Sequence, residues 1–290
     1  MAAVELEHVA FAYPRLAPGL PCPDVLTDVS LRVEAGEMVA LMGRTGSGKS
    51  TLCMCLNGVV PQSTGGRLSG EIAILGQDPR QTPTAQLARH VALVYQDAES
   101  QLFMPTVEEE VAFGPGNLGL DRDEIAERVA WALHLVGMEE LRQRPPSQLS
   151  GGQMQRVAIA ANLAMLPRLL ILDEPFAGLD PAGRRQIAQA IRQLRAEREI
   201  AMVLATTNAE IAAESADRIA LLHEGRIVLD DAPSRVFFDA QIMAETGVGR
   251  PAVAELAADL NRQLGTTYAW VSASQAQADL ASALDGGHPA

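Results

Sequence analysis

The sequence predicts an α/β protein with a mostly parallel core sheet, an antiparallel β edge, a helical subdomain and a C-terminal helical extension. Short apolar runs alternate with helical patterns over residues 169–229, which is typical of parallel strands covered by helices. Residues 4–33 carry alternating β-forming residues. Residues 106–166, and those after about residue 233, have helical spacing.

Composition limits the possible classes of protein. The 290 residues are 48% apolar and 20% charged, which predicts one globular domain of roughly 200–250 residues with an appendage. A net charge of −13 argues against nucleic acid as a partner, since nucleic-acid binders carry basic surfaces. No run reaches the roughly 18 apolar residues of a membrane span. The acidic start and three scattered cysteines, Cys22, Cys53 and Cys55, favour the cytoplasm.

The elements follow one another in a definite order. A β edge, interrupted by a Pro/Gly-rich insertion at residues 14–23, precedes a strand at 37–42 and a helix at 49–59. The helical subdomain covers about 97–165, with an amphipathic helix at 121–135 and another opening after Gly151. We expect strands at 91–95, 169–172 and 201–205, helices at 182–198 and 209–215, and a β pair near 218–229.

A glycine-rich phosphate loop falls between the predicted strand and helix. Its glycines let backbone N–H groups turn toward a phosphate, and the following helix adds a positive N-terminus. Of 23 basic residues only Lys49 is a lysine, so this position needs a compact ammonium on a flexible stem. The predicted ATP-binding residues of this segment are Gly43, Arg44, Thr45, Gly46, Ser47, Gly48, Lys49, Ser50 and Thr51.

Two adjacent carboxylates end the apolar strand at residues 169–172. Neighbouring acids at a buried strand end repel each other, so they need a cation and a proton. Asp173 suits a Mg²⁺ shell together with the Ser50 hydroxyl, and Glu174 suits a base that activates a water molecule. We therefore expect Mg²⁺ and ATP as the cofactors.

The pentapeptide Leu149-Ser150-Gly151-Gly152-Gln153 opens a helix and could be only an N-cap. It also matches the signature of the ATP-binding-cassette (ABC) ATPases, and the order of phosphate loop, signature and acid pair resembles that family. The resemblance implies a P-loop NTPase cassette over residues 1–235, with residues 236–290 as an extension. It also implies a head-to-tail dimer in which each signature acts on the ATP of the other chain.

Further residues match the family's motifs. Gln96 resembles the Q-loop glutamine, which implies a place beside Mg²⁺ and the reacting water, and Asp180 lies in the match to the D-loop. Tyr13 resembles the aromatic residue that stacks on adenine, although a tyrosine on an edge strand is common and Phe11 lies close by.

Residues 95–120 resemble the ATPases of energy-coupling-factor importers. That resemblance implies a second ATPase subunit, a transmembrane coupling protein and a membrane protein that captures a vitamin or a transition-metal ion such as cobalt. It also implies a peripheral position at the cytoplasmic face of the membrane, and an extension that helps the ATPase subunits pair. A helical tail without that role is an equal alternative.

One position departs from the family pattern. Thr207 stands where the family has a histidine that contacts the γ-phosphate, and none of the five histidines can be aligned there. A threonine hydroxyl has a shorter reach and no second ring nitrogen. We expect a weakened site that pairs with a different ATPase. A soluble ABC ATPase and a low-turnover ATP-gated clamp remain as alternatives.

Overall fold

The computed structural model describes residues 2–15 and 22–286. The predicted insertion at 14–23 lies partly outside these residues, and the last four residues of the predicted extension lie wholly outside them. Within the described ranges the strands are β1 (Ala2–Ala12), β2 (Leu26–Glu34), β3 (Met38–Met42), β4 (Arg67–Ile74), β5 (Val91–Val94), β6 (Leu169–Asp173), β7 (Ala201–Thr206), β8 (Arg218–His223) and β9 (Arg226–Asp231).

The helices lie mainly between the strands and after the last one. They are α1 (Lys49–Leu56), α2 (Val59–Gln62), α3 (Thr84–Leu87), α4 (Val107–Asn117), α5 (Arg122–Val136), α6 (Gly151–Leu163), α7 (Pro181–Glu197), α8 (Ala209–Ser215), α9 (Pro233–Phe238), α10 (Ala240–Thr246), α11 (Ala252–Leu264) and α12 (Ala273–Gly286). Single 3₁₀ turns cover Glu99–Gln101, Glu139–Leu141 and Pro146–Gln148.

The strands form two sheets, and the predicted fold class is confirmed. The larger sheet has the order β5-β6-β7-β3-β8-β9, in which the first five strands are parallel and β9 is antiparallel to β8. The smaller sheet is antiparallel, with the order β2-β1-β4. Every residue of β3, β6 and β7 is buried, as expected for strands covered by helices on both faces.

Two details differ from the sequence-based expectation. Strand β4 was not predicted, because its burial alternates only weakly and glycine interrupts it at Gly70. The first helix was expected to reach residue 59 but ends at Leu56, because Asn57 caps it and Gly58 takes a left-handed conformation with φ of 77°.

The helices after β9 share a buried core with the central sheet. Met243 of α10, Ala254 of α11 and Val271 lie in one apolar cluster with Met42 of β3 and Ala209 of α8. Met42 directly precedes Gly43, and Ala209 follows Thr207 by two positions. The C-terminal helices therefore share a core with the elements next to two of the segments that carry predicted site residues, residues 43–51 and Thr207.

No helix among the described residues is long and apolar enough to cross a membrane.

The shared core leads to a prediction about the free energy of unfolding. Met243→Ala removes a buried side chain and leaves a cavity, so the free energy of unfolding should fall by about 2–4 kcal/mol. Urea denaturation measures this change. Leu264→Ala is the control, since Leu264 is 69% exposed, and it should cost less than about 0.5 kcal/mol. Equal effects of the two substitutions would contradict a common core.

Candidate functional site

The predicted site residues meet at the carboxyl edge of the larger sheet. Strands β3, β6 and β7 are parallel, so their carboxyl ends lie at the same edge. The chain continues from these ends into the glycine-rich loop, into Asp173 and Glu174, and into Thr206 and Thr207. Ligands of open α/β sheets bind at this edge.

Two glycines shape the loop between β3 and α1. A Cβ on Gly43 would lie 2.2 Å from the Leu222 carbonyl oxygen, so no larger residue fits there. Gly48 has φ of 107° directly before α1, a conformation that costs other residues free energy. The loop therefore folds back tightly onto the first turn of α1, where free backbone N–H groups favour an anion.

Lys49 is buried at the base of this loop, with 7% of its surface exposed. Its ammonium donates to the carbonyl oxygens of Gly43 at 2.8 Å and Arg44 at 3.2 Å. Burial lowers the pKa of Lys49, and the nearby charges of Glu174 and Asp173 oppose that shift. The ammonium thus donates to neutral carbonyl oxygens, and phosphate oxygens could replace these as its acceptors.

The two carboxylates at the end of β6 are also desolvated. Burial raises the pKa of Asp173, and the Ser50 hydroxyl and Lys49 partly oppose it. Burial likewise raises the pKa of Glu174, against Lys49 and the hydroxyls of Thr207 and Thr206. Two buried charges and one half-buried charge therefore lie together with burial opposing the charged form of each, an arrangement common in functional sites.

The donor set fits a magnesium ion. Within the described part of the chain, Asp173 Oδ1 is buried and has no hydrogen-bond partner. The Ser50 hydroxyl lies beside this carboxylate, and Gln96 lines the same cleft. Hydroxyl, carboxylate and amide oxygens are suitable hard ligands for Mg²⁺, which keeps several waters besides.

These residues line one open cleft of about 380 Å³. It collects most of the residues predicted for ATP, magnesium and catalysis from four separate parts of the chain. Its walls are Val25, Thr45, Gly46, Gly48, Lys49, Ser50, Thr51, Gln96, Asp173, Glu174, Ala177 and Thr207.

Tyr13 lies at the border of this cleft and does not line it. Its hydroxyl is 3.2 Å from Thr51 Oγ1, and its ring meets Phe11 edge-on with centroids 4.9 Å apart. The ring faces a smaller neighbouring cleft that also contains Cys22 and Arg67. Adenine stacking by Tyr13 stays a prediction.

The signature and Asp180 lie outside the cleft. Ser150 caps α6 by accepting from the Gln153 backbone N–H, and the Gln153 side chain accepts from the Ser150 N–H in return. Asp180 caps α7 by accepting from Gly183 at 2.6 Å. Leu149, Gly151 and Gly152 do not line the cleft either, so one chain brings none of these residues to its own loop.

Thr206 was not predicted as a site residue. It is 1% exposed, and its hydroxyl donates to Glu174 Oε2 at 3.3 Å. The sequence contained a signal for Thr206. Asp173-Glu174 and Thr206-Thr207 both end apolar strands that alternate with helices, so both pairs lie at the same edge of a parallel sheet. Pairing Thr206 with Glu174 also requires that β6 and β7 are neighbours in the sheet, which the sequence does not show.

Comparisons with known proteins agree with this geometry. The ABC transporter family matches residues 26–177. A putative ABC transporter ATP-binding protein of Pyrococcus abyssi is 38% identical over 98% of this chain and 100% of its own length. The energy-coupling factor transporter ATP-binding protein EcfA2 of Clostridium tetani is 37% identical over 90% of each chain.

A solved structure is similar over most of the chain. It is cbiO1 from Clostridium perfringens, described as part of the ABC transporter complex cbiONQ. It is 32% identical, with a TM-score of 0.68, and the match covers 88% of this chain and 98% of that one.

The raised pKa of Glu174 predicts a pH-dependent effect on stability. The folded protein holds this proton more tightly than the unfolded chain, so ionised Glu174 costs stability above the ordinary pKa of 4.5. Glu174→Gln should raise the Tm at pH 7.5 by about 2 °C, and the gain should shrink as the pH falls toward 4.5. Calorimetry measures it. Glu214→Gln, at an exposed site, should change little, and a lower Tm at pH 7.5 for Glu174→Gln would contradict the account.

Proposed function

The chain belongs to the ABC transporter family of ATP-binding proteins, and we propose that it is an ATPase subunit of an energy-coupling-factor importer. The observation that carries the proposal is the cleft that brings the buried Lys49 and Asp173 together with the half-buried Glu174, and in which Asp173 Oδ1 has no hydrogen-bond partner. A polyphosphate would pair with the Lys49 ammonium, and its cation would pair with the two carboxylates.

Each group has a distinct task in the proposed reaction. Backbone N–H groups of residues 43–51 bind the phosphates, and Lys49 exchanges its carbonyl partners for β- and γ-phosphate oxygens. Ser50, Asp173 and Gln96 would hold Mg²⁺, which neutralises charge on the phosphates when bound. Glu174 orients the attacking water and takes its proton, a role that its raised pKa favours near neutral pH.

A second ATPase subunit completes each site. Ser150 and Gly152 stand away from the cleft of their own chain, on a helix N-terminus whose N–H groups can bind an anion. A head-to-tail pair would set this signature over the γ-phosphate held by the partner. ATP then joins the two subunits, and hydrolysis separates them.

An exposed aromatic pair supports docking to a membrane protein. Phe103 is 65% exposed and Phe113 is 40% exposed, and their rings meet edge-on with centroids 4.9 Å apart. The buried Glu110 carboxylate fixes this surface by accepting from the backbone N–H groups of Phe103 and Met104 at 2.7 and 2.8 Å. A groove lined by Phe113 and Met165 lies alongside. Exposed apolar surface of this kind marks interaction sites.

The energy-coupling-factor assignment sets the partners and the substrate class. The related EcfA2 and the cbiO1 of the cbiONQ complex support a transmembrane coupling protein and a separate membrane protein for substrate capture. The substrate would be a vitamin or a transition-metal ion, selected by that other chain. This subunit would lie at the cytoplasmic face of the membrane.

Thr207 favours a weaker site in this chain than in its partner. The family histidine is replaced, so the γ-phosphate loses one donor, while Glu174 and the signature remain. We infer a heterodimer in which this chain lends its signature to a more active site. An ATP-gated clamp with little turnover is the second candidate, and the same substitution favours it. A soluble ABC ATPase lacks such a specific observation.

Purification from native membranes in mild detergent tests the transport assignment. A second ATPase and two membrane proteins should accompany the chain. Phe103→Ser should release the membrane proteins because it removes an apolar docking contact, while ATP binding stays intact. Leu264→Ser is the matched control at another exposed apolar residue outside the Phe103 surface. Recovery of no membrane protein with the unaltered chain would contradict transport and favour the soluble ATPase.

Restoring the histidine tests the weak-site assignment. Thr207→His should raise the turnover of the purified chain about ten- to a hundredfold, by adding a donor to the γ-phosphate. A phosphate-release assay measures this, and adding Glu174→Gln should remove the gain. A turnover of about 1–100 s⁻¹ in the unaltered chain, typical of phosphoryl-transfer enzymes, would show that Thr207 does not weaken the site.

A further inference from the structure

Thr206 and Glu174 lie side by side at the ends of two neighbouring strands. In the β6–β7 pair Asp173 is in register with Ala205, so Glu174 and Thr206 form the next step. The Glu174 backbone N–H donates to the Ala205 carbonyl at 2.9 Å, and its φ of 48° turns the chain away from the sheet. The carboxylate thereby stays beside β7 even though its strand has ended.

Hydrogen bonds fix the direction of the Thr206 hydroxyl. The Asn208 backbone N–H donates to Thr206 Oγ1 at 3.1 Å, which uses a lone pair of the hydroxyl and leaves its proton for Glu174 Oε2. An ionised carboxylate only accepts. Asn208 is itself held as the N-cap of α8, where it accepts from Ile211 at 3.0 Å.

Helix α8 is in turn anchored in the protein. Ala209 and Ala212 are buried in the cluster that contains Met243 and Ala254 of the C-terminal helices. The Ala252 backbone N–H also donates to Glu210 at 3.4 Å. A continuous series of packing contacts and hydrogen bonds therefore extends from these helices through Asn208 to the Thr206 hydroxyl.

We propose that Thr206 is a positioning residue, whose hydroxyl holds the Glu174 carboxylate in the orientation required for ATP hydrolysis. The inference rests on the proposed function. Thr207 also hydrogen-bonds this carboxylate, but only the Thr206 hydroxyl is itself fixed by a backbone N–H, that of Asn208. The water oxygen bonds to the γ-phosphorus, the bond from that phosphorus to the bridging oxygen of ADP breaks, and the water proton passes to Glu174. Because Thr207 replaces the family histidine in this site, the hydrogen bond from Thr206 to Glu174 sustains the ATP hydrolysis that remains.

The alternative is that Thr206 merely satisfies its own hydroxyl in the core. Thr246 offers a matched control, because it is also 1% exposed and its hydroxyl donates to the Ile242 carbonyl at 2.7 Å. Thr206→Val and Thr246→Val each remove one buried hydroxyl and keep a β-branched side chain. A purely structural role predicts the same consequences for both.

Steady-state kinetics and ATP binding distinguish the two roles. Thr206→Val should lower kcat about tenfold, as expected for a lost hydrogen bond to a charged group, with the dissociation constant for ATP within about twofold of the parent value. Thr206→Ser keeps the hydroxyl and should retain kcat, and Thr246→Val should retain it as well. Thr206→Ala repeats the measurement with a smaller side chain, should valine impair folding.

A second readout follows the bound nucleotide. After one round of mixing with Mg²⁺ and ATP, protein carrying Thr206→Val should retain more unhydrolysed ATP than the parent or Thr246→Val. The inference is overturned if Thr206→Val turns over like the parent, if Thr246→Val slows equally, or if the parent shows no turnover. Failure of the parent to bind ATP would contradict the proposed function itself, so the two failures are distinguishable.

Discussion

The structure depends on three charges at one edge of the central sheet, two of them buried and the third, Glu174, half-buried. Lys49 follows β3, and Asp173 and Glu174 end β6 and follow it. Burial lowers the pKa of Lys49 and raises the pKa values of Asp173 and Glu174, so burial disfavours the charged form of each group. A fold retains such a cost where a ligand removes it. The parallel strands, the tight glycine loop and the buried helix α1 all serve to place these groups within one cleft.

The cleft gathers the residues proposed to bind ATP but not those proposed to cover its γ-phosphate. The residues expected to cover the γ-phosphate, Ser150 and Gly152, cap a helix outside the cleft. The distance between the signature and the cleft of the same chain gives a physical reason for two subunits to pair. A bound triphosphate leaves exposed negative charge, and the helix N-terminus of the partner's signature would neutralise it. Pairing would then move the signature helix and the aromatic surface at Phe103 together, because both belong to the same subunit.

Much of the fold and the site could be predicted because the motifs are local. The segment from Gly43 to Ser50 is a continuous motif between a strand and a helix, and Asp173 and Glu174 end one apolar run, so the phosphate-loop pattern identified the first and its presence upstream singled out the second. Strand β4 was missed, since Gly70 weakens its pattern. Thr206 was missed because its role depends on the pairing of β6 with β7, which is set by the global fold. The packing of Met243 and Ala254 against β3 and α8 is likewise a long-range contact, and a helical pattern does not reveal its partner.

The central claim is that the Lys49 ammonium and the two carboxylates of the cleft bind a nucleotide together with its cation. Calorimetric titration of the purified chain with ATP, once with Mg²⁺ and once with a chelator, tests this most directly. The account predicts that Mg²⁺ tightens ATP binding by about tenfold or more, and that Asp173→Asn removes this gain while leaving weak ATP binding. Equal affinity with and without Mg²⁺, or no binding of ATP at all, would contradict it.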